Sequence, residues 1–326
     1  MFREQYLQEQ LAELQEDYKV CNKQVKALKK SLRIDDLTPK QNIKLQRQIE
    51  DAKAQRKKLA QQIDKLNKSV GSEQLYKVLQ KLGYKDQVGL FIKLVKTQPV
   101  SAFLIHGASE YGQEWLLNRL VEQYVPHIIN GKLVKIDLGR KGRSTDVSAL
   151  WREIRDRFNL HGKDISKLDI AKQICQCWQT QNVLFVFHNV NIMPKAYVQK
   201  LILEFWQPLT KQARNYDISK FQLLMLLVDY EGSIGSLDNL FSDQINPAKS
   251  DPVKPPEINK FDKATLLDWL QTEFVELPIK LKEQNPDDTV RAILEESKGI
   301  PEYVLTGIFD RCGFNYYEEI DRQWKL

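Results

Sequence analysis

The chain has 326 residues, 42% hydrophobic and 10% aromatic, with four cysteines and a formal net charge of +6. That length gives about two globular domains, or one domain plus an extended element, and no apolar run is long enough to span a membrane. MFREQYLQEQ is no signal peptide, and Cys21, Cys175, Cys177 and Cys312 lack the pairing of a zinc site or disulfide framework, so the expectation is a soluble, cytoplasmic protein with reduced thiols and no bound metal or cofactor.

Residues 1–70 contain 16 Lys and Arg against 10 Asp and Glu, so the whole net charge lies there. Leu7, Leu11, Leu14, Tyr18, Cys21, Val25, Leu28 and Leu32 follow alternating spacings of four and three, the seam of a coiled-coil helix. A second seam runs Leu45, Ile49, Ala52, Arg56, Leu59, Ile63, Leu66 and Val70, with Arg56 its one polar member. Between them SLRIDDLTPKQ offers Thr38 as cap, Pro39 at the first helical position and Gln41 to complete a capping box. The expectation is an antiparallel coiled-coil hairpin of two helices, each roughly 45 Å long. Its seam residues either recruit further helices, by self-association or docking to a partner, or close on themselves as a spacer. The basic arm is read as a solvated face, with nucleic acid, an anionic membrane or an acidic partner as the alternatives.

VGSEQ reads as a break, and LYKVLQKLGYKDQVGLFIKLVKTQ as a helical lead-in over 71–97. The period then changes. AFLIH, KLVKID, VLFVFH and FQLLMLLV are short apolar strands between amphipathic stretches at 113–124, 146–159, 166–179 and 194–213, the pattern of a parallel sheet covered on both faces. A loop of about 30 residues rich in turn formers follows, with room for a short fifth strand at PPEINKF. The expected organisation is a hairpin (1–70), lead-in (71–97), α/β domain (98–262) and helical lid with tail (263–326).

SAFLIHGASEYGQEWLLNRL has the spacing of a phosphate-gripping loop between a strand and a helix. Such a loop needs two glycines, a lysine for the terminal phosphates and a hydroxyl for the metal. Gly107 and Gly112 occupy the glycine positions, but Gln113 stands for the lysine and Glu114 for the hydroxyl. Glu110 and Glu114 place carboxylates where a triphosphate needs positive charge and are expected to serve the helix N-terminus instead. The third strand ends in His188 and Asn189, which supply no carboxylate to organise metal and water. The residues fit a P-loop domain that has lost catalysis, or an unrelated doubly wound fold with an ordinary strand-to-helix turn.

The stretch from Leu75 to Tyr124 resembles the opening of the inactive STAND domains, catalytically degraded relatives of the signal-transduction ATPases found mainly in bacterial conflict and signalling systems, especially of cyanobacteria. The motif residues are Tyr84, Gln87, Phe91, His106, Gly107, Gly112, Gln113, Trp115, Leu116, Leu117, Arg119 and Leu120. FDKATLLDWL and SKGIPEYVLTGI, with Gly299 and Pro301, are similar to the helical lid of the same proteins. The resemblance covers roughly 73–311 and implies a P-loop NTPase-like sheet followed by a lid, no catalysis, and an adaptor role linking sensor and effector. The hairpin is similar to the small effector-associated modules of that family but departs from them in its basic character. A protease, nuclease or TIR protein is the implied kind of effector, with self-association open, nucleic acid not expected, and a slow nucleotide switch or a nucleic-acid scaffold as alternatives.

Three other groupings read as bland. His106 and His188 end strands expected to be near neighbours, with no third ligand type beside them. GRKGR with Arg152, Arg155 and Arg157 is interspersed with Asp146, Glu153 and Asp156, a solvated helix surface. Ser144, Ser233 and Ser236 have no evident base.

Overall fold

The computed structural model describes residues 2–32, 39–126, 130–140, 147–160, 162, 165–217, 219–237, 240–246, 251–283 and 285–323. Thr38, most of GRKGR, Ser144 and Asp146 lie outside them. The chain divides into two compact units, one of residues 1–81, 273–285 and 309–319, the other of 82–272, 286–308 and 320–326.

In the first unit α1 (Phe2–Ser31) and α2 (Pro39–Leu79) pack along each other. Both seams are where the heptad spacing places them. Cys21, Val25, Ile49, Ala52 and Leu59 are buried, while Leu7, Leu11, Leu14, Tyr18, Leu28, Leu45, Ile63 and Leu66 are half-buried. The Cys21 thiol donates to the Ala52 carbonyl at 3.3 Å, and Arg56, the polar member of the second seam, donates to Asn22 Oδ1 at 3.1 Å. The polar interruption is therefore satisfied across the hairpin instead of being left buried and unpaired.

The expected break at VGSEQ, and with it the boundary at residue 70, is absent: α2 is continuous to Leu79. Gly71 is a packing glycine, because a Cβ there would lie 2.9 Å from the Phe314 ring. Gln74 donates to the Glu276 carbonyl at 3.0 Å, and Lys81 pairs with Glu273 at 2.6 Å. The turn-forming residues that suggested an end are thus used sideways, on α10 (Ile279–Lys282) and its neighbours and on the segment after α12 (Pro301–Cys312).

The second unit is built on a four-stranded parallel sheet, β1 (Val100–His106), β2 (Lys132–Asp137), β3 (Val183–His188) and β4 (Leu223–Asp229), in the order β1-β4-β3-β2. Isolated parallel bridges Phe103 to Val253 and Gly107 to Ile258 lie beyond β1, where PPEINKF was expected to add a strand. On one face pack α5 (Val147–Arg157), α6 (Lys167–Trp178) and the long helical stretch from α7 (Lys195–Lys200) to α8 (Gln207–Ala213), around Trp151, Phe185, Phe205 and Trp206. Between α7 and α8 the helix widens into a π turn, Leu201–Trp206, and the Glu204 carbonyl in it accepts the Trp151 indole N–H at 3.2 Å. α3 (Lys85–Thr97) and α4 (Gln113–Tyr124) contribute Phe91, Leu94, Trp115, Leu116 and Leu120, all fully buried, and Phe91 meets Phe103 of β1 edge to face at 5.2 Å. The unit also includes α9 (Lys263–Thr272) and α11 (Pro286–Ser297), which pack together. Among the described residues no helix is long and apolar enough to cross a membrane.

A hairpin that closes on its own seam predicts a position-dependent response to one new charge. Val25→Asp, at 1% exposure, should cost about 3 to 5 kcal/mol and melt α1 against α2, whereas Val20→Asp, at 57% exposure, should cost under about 0.5 kcal/mol. Helical ellipticity in urea titrations measures both, and equal responses would contradict the observed seam.

Candidate functional site

The segment from β1 into α4 is a phosphate-loop shape filled by its own chain. Gln113, 2% exposed, turns its side-chain amide back so that Nε2 donates to the carbonyls of Gly107 and Ala108, both at 2.8 Å. A phosphate grip presents backbone N–H groups to an anion. Here the side chain at the lysine position is a neutral amide turned onto two loop carbonyls instead of a cation directed at an anion.

The two glycines are explained by packing. A Cβ on Gly107 would lie 2.9 Å from Cβ of Ile258, so the residue allows the strand-like segment at 258 to approach β1. Gly112, the N-cap of α4, has φ 71°, and a Cβ there would lie 2.4 Å from the Tyr84 hydroxyl oxygen and 3.7 Å from Pro301. The N-cap Gly112 has no side chain to cap with, and Glu114 stands in the first turn of α4, where its charge favours the helix N-terminus. Glu110 sits in the left-handed region at φ 67° and accepts through its backbone carbonyl from the Glu302 amide at 3.1 Å.

Other motif residues complete the closure. Tyr84, itself left-handed at φ 56°, donates its hydroxyl to the Tyr111 carbonyl at 3.1 Å, and burial holds the phenol well above its ordinary pKa. Arg119, 7% exposed, donates to the carbonyls of Leu82 at 3.1 Å and Gly83 at 2.9 Å, fixing the turn that carries Tyr84. Gln87 donates to the carbonyls of Pro256 at 2.8 Å and Glu257 at 3.2 Å, and His106 donates Nε2–H to the Pro255 carbonyl at 2.9 Å. The Phe261 amide donates to the Gly299 carbonyl at 2.8 Å, which joins the lid segment to the same cluster.

At the carboxyl ends of β2, β3 and β4 a cleft of about 550 Å³ is lined by Glu114, Lys135, Asp137, Arg140, Arg157, His188, Asn189 and Tyr230. Asn189, left-handed at φ 59°, donates its amide to Asp137 Oδ1 at 2.7 Å, and the Gly139 amide donates to the same oxygen at 2.9 Å. Burial works against the Asp137 carboxylate, but these bonds, with Arg140 and His188 nearby, lower its pKa overall. His188 Nδ1 lies 2.8 Å from the Tyr230 hydroxyl, and burial together with Lys135 pulls the imidazole down to about 4 despite Asp137. Lys135 is lowered by burial and partly restored by Glu114. Arg140 stands 3.6 Å from Asp137, and Arg157 pairs with Glu153 at 2.9 Å. Each cation of the cleft has an acid close by, so it offers a triphosphate little net positive charge.

His106 and His188 do not share a cleft. β4 separates β1 from β3, and the two rings bond to different partners, which corrects the expectation that their strands are near neighbours. Arg155 pairs with Asp156 at 2.8 Å and Arg157 with Glu153 along α5, while Arg157 also lines the cleft. Ser236 donates to the Ser233 carbonyl at 2.9 Å. Burial raises the thiol of Cys175 to about 12 and that of Cys312 to about 11, so neither is a ready nucleophile. Among the described residues no cluster of three His, Cys, Asp or Glu has metal-binding spacing.

The sequence reading missed two strand-terminal carboxylates. Asp137 and Asp229 end β2 and β4, and each was visible as an apolar run closing on Asp in KLVKID and LLMLLVD. Asp229, fully buried, accepts from the amides of Glu231, Gly232 and Ile234 at 2.9, 2.8 and 2.7 Å, which makes it a turn-former at the strand exit.

The architecture is thus a P-loop NTPase-like α/β fold with its phosphate loop closed from within. Residues 79–228 match the model of a family described as inactive STAND, and that match supports a non-catalytic role for a domain derived from P-loop NTPases. No curated protein matches the chain in sequence. Among solved structures it is similar to a Walker-type ATPase of Pyrococcus abyssi, with 12% identity over 74% of this chain and 71% of that one and a TM-score of 0.40. It is also similar to Cdc6p from Pyrobaculum aerophilum, with 12% identity over 70% and 60% and a TM-score of 0.42, and to the Aeropyrum pernix ORC1 protein in complex with DNA, with 12% over 76% and 66% and 0.38. Likenesses this distant say nothing about what this chain does.

Two measurements follow from the site. Gly112→Val should destabilise the second unit by about 1 to 3 kcal/mol or more, because β-branched residues rarely adopt positive φ and the Tyr84 hydroxyl blocks the space. An unchanged urea midpoint would contradict the closed loop. His188 stays neutral in the fold down to about pH 4, while in the unfolded chain it protonates near 6.5, so between those values the unfolded state binds more protons and stability falls as pH falls. Between pH 7 and 4.5 the loss from this group should be about 2 kcal/mol, and His188→Asn should flatten that slope in a series of thermal melts.

Proposed function

We propose that the protein is a non-enzymatic adaptor of a bacterial signalling or anti-invader system. The hairpin docks a protein partner, an effector such as a protease, nuclease or TIR protein, and the α/β unit serves as a rigid scaffold whose switching is delegated to that partner. The observation that carries this reading is the Gln113 amide seated between the carbonyls of Gly107 and Ala108. A loop whose lysine position holds a neutral amide bonded inward, beside a cleft whose cations are balanced, has no evident use for a nucleotide cycle. The inactive STAND match over residues 79–228 points the same way. The adaptor works in the cytoplasm, and its docking element includes the seam helices carrying Leu14 and Leu59.

Equilibrium binding of labelled ATP and GTP with Mg²⁺ to the full chain tests the scaffold half of the reading. No saturable binding below about 1 mM is expected, since a site without a lysine loses charge-assisted hydrogen bonds that contribute several kcal/mol. Micromolar affinity or Mg²⁺-dependent turnover, lost in Gly112→Asp, would instead establish a slow nucleotide switch. Co-purification with products of neighbouring genes, abolished by Val25→Asp but not by Val20→Asp, tests the docking half.

A further inference from the structure

Residues 19–53 contain ten Lys and Arg against four Asp and Glu, a net charge of +6 that equals the net charge of the whole chain. The flanking stretches cancel, residues 1–18 carrying −4 and residues 54–70 carrying +4. The half of the hairpin next to its turn is therefore where the entire excess sits. Neither 18–34 nor 37–49 contains a single Asp or Glu. Elsewhere this chain balances its helix faces with acid three or four residues away, as Glu153 does for Arg157; Lys23, Lys26 and Lys30 have no acid at those spacings, whereas Lys19 reaches Glu16 at 3.1 Å and Arg47 has Glu50 and Asp51 there.

The cations also have an order. Lys19, Lys23, Lys26 and Lys30 recur at spacings of four, three and four, which aligns them along one stripe of α1 about 16 Å long. Lys40, Lys44 and Arg47 repeat the spacing on α2. All seven are exposed, and each stripe lies on the side of its helix away from the buried seam positions Cys21, Val25, Ile49 and Ala52, so the two face opposite ways and the longer one, on α1, stands by itself.

We propose that the α1 stripe forms a docking surface for the phosphate backbone of duplex nucleic acid. Three features select that ligand from the polyanions available. A membrane-lying helix needs a free apolar face, and here the apolar faces of α1 and α2 are spent on each other. A protein partner docked at this surface would need a central apolar or aromatic anchor, and the α1 stripe offers only Val20, at 57% exposure. Single strands are gripped by aromatic side chains that stack on bases, and no aromatic residue occurs between Tyr18 and Tyr76. Lysines on a straight rod match a regular array of phosphates and read no sequence. The inference stands apart from the adaptor reading: the hairpin would contact nucleic acid whether or not it also holds a protein.

Fluorescence anisotropy of a labelled 30-base-pair DNA duplex, titrated with the full chain from 50 to 200 mM KCl, is the test. Binding should be independent of sequence, with log K falling against log salt at a slope of about −3 to −4 if the four lysines of the stripe meet phosphates. Lys23→Glu, Lys26→Glu and Lys30→Glu together should weaken binding at least tenfold and flatten the slope by about 3, with an unchanged circular dichroism spectrum because all three are exposed and Glu is a good helix former. The same reversals at the exposed Lys195, Lys200 and Lys211 of the other unit should weaken it by less than threefold. If the hairpin triple variant loses helicity, the Lys→Gln version replaces it. No binding at 50 mM, equal effects of the two triple variants, or equal affinity for phosphatidylserine vesicles or polyglutamate would overturn the proposal.

Discussion

One side-chain amide organises the centre of this protein. Gln113 donates to two consecutive loop carbonyls, and a buried carbonyl without a donor costs on the order of 1 to 3 kcal/mol. The amide therefore fixes the backbone of the loop in a state where acceptors face inward. Everything around it accommodates that choice. A lysine at this position would bring a buried charge in place of a neutral donor, and without an anion to neutralise it the desolvation would be unfavourable. The substitution that removes a phosphate grip is the same one that allows the empty loop to fold shut.

The neighbouring motif residues acquire a common purpose from this. Tyr84, Gln87, His106 and Arg119 each donate to a backbone carbonyl, and the carbonyls belong to turns and extended segments that have no ladder partner to satisfy them. Two non-glycine residues, Tyr84 and Glu110, are held at positive φ. Strain of that kind persists only where the surroundings over-determine it, and here the surroundings are a dense set of side chain to backbone bonds, with Phe261 against Tyr84 at 5.2 Å. What was a ligand site in shape is a folding centre in its interactions.

The legibility of the molecule in its sequence followed periodicity. The two heptad seams, the four strands and the helices between them were readable because burial imposes repeats of 3.5, 2 or near-continuous apolar runs, and Arg56 was visible as an exception whose partner, Asn22, was not. Gly107, Gly112 and Gln113 were readable as a departure from a motif. Their actual partners were not, because Ile258, Tyr84 and Pro301 are distant in sequence and no local pattern announces them. The same applies to Gly71: a glycine followed by Ser and Glu reads as an end when the residue it accommodates, Phe314, lies more than two hundred positions away. Asp137 and Asp229 carry no signal beyond an apolar run closing on Asp, because the acid that organises metal and water in such folds ends the third strand, which lies between theirs.

The continuity of α2 has a consequence for how such a chain can change over evolutionary time. An α-helix advances 100° per residue, so one residue gained or lost between Leu66 and Leu75 would turn everything before it by that angle about the helix axis, relative to Leu75 and Leu79. A hairpin joined through a flexible linker can be exchanged at almost any length. This one can be exchanged only at junctions that preserve helical phase, in steps of about three, four or seven residues, or else the new module faces another direction. Diversity along the helix next to that junction is therefore expected to arise by substitution more readily than by insertion.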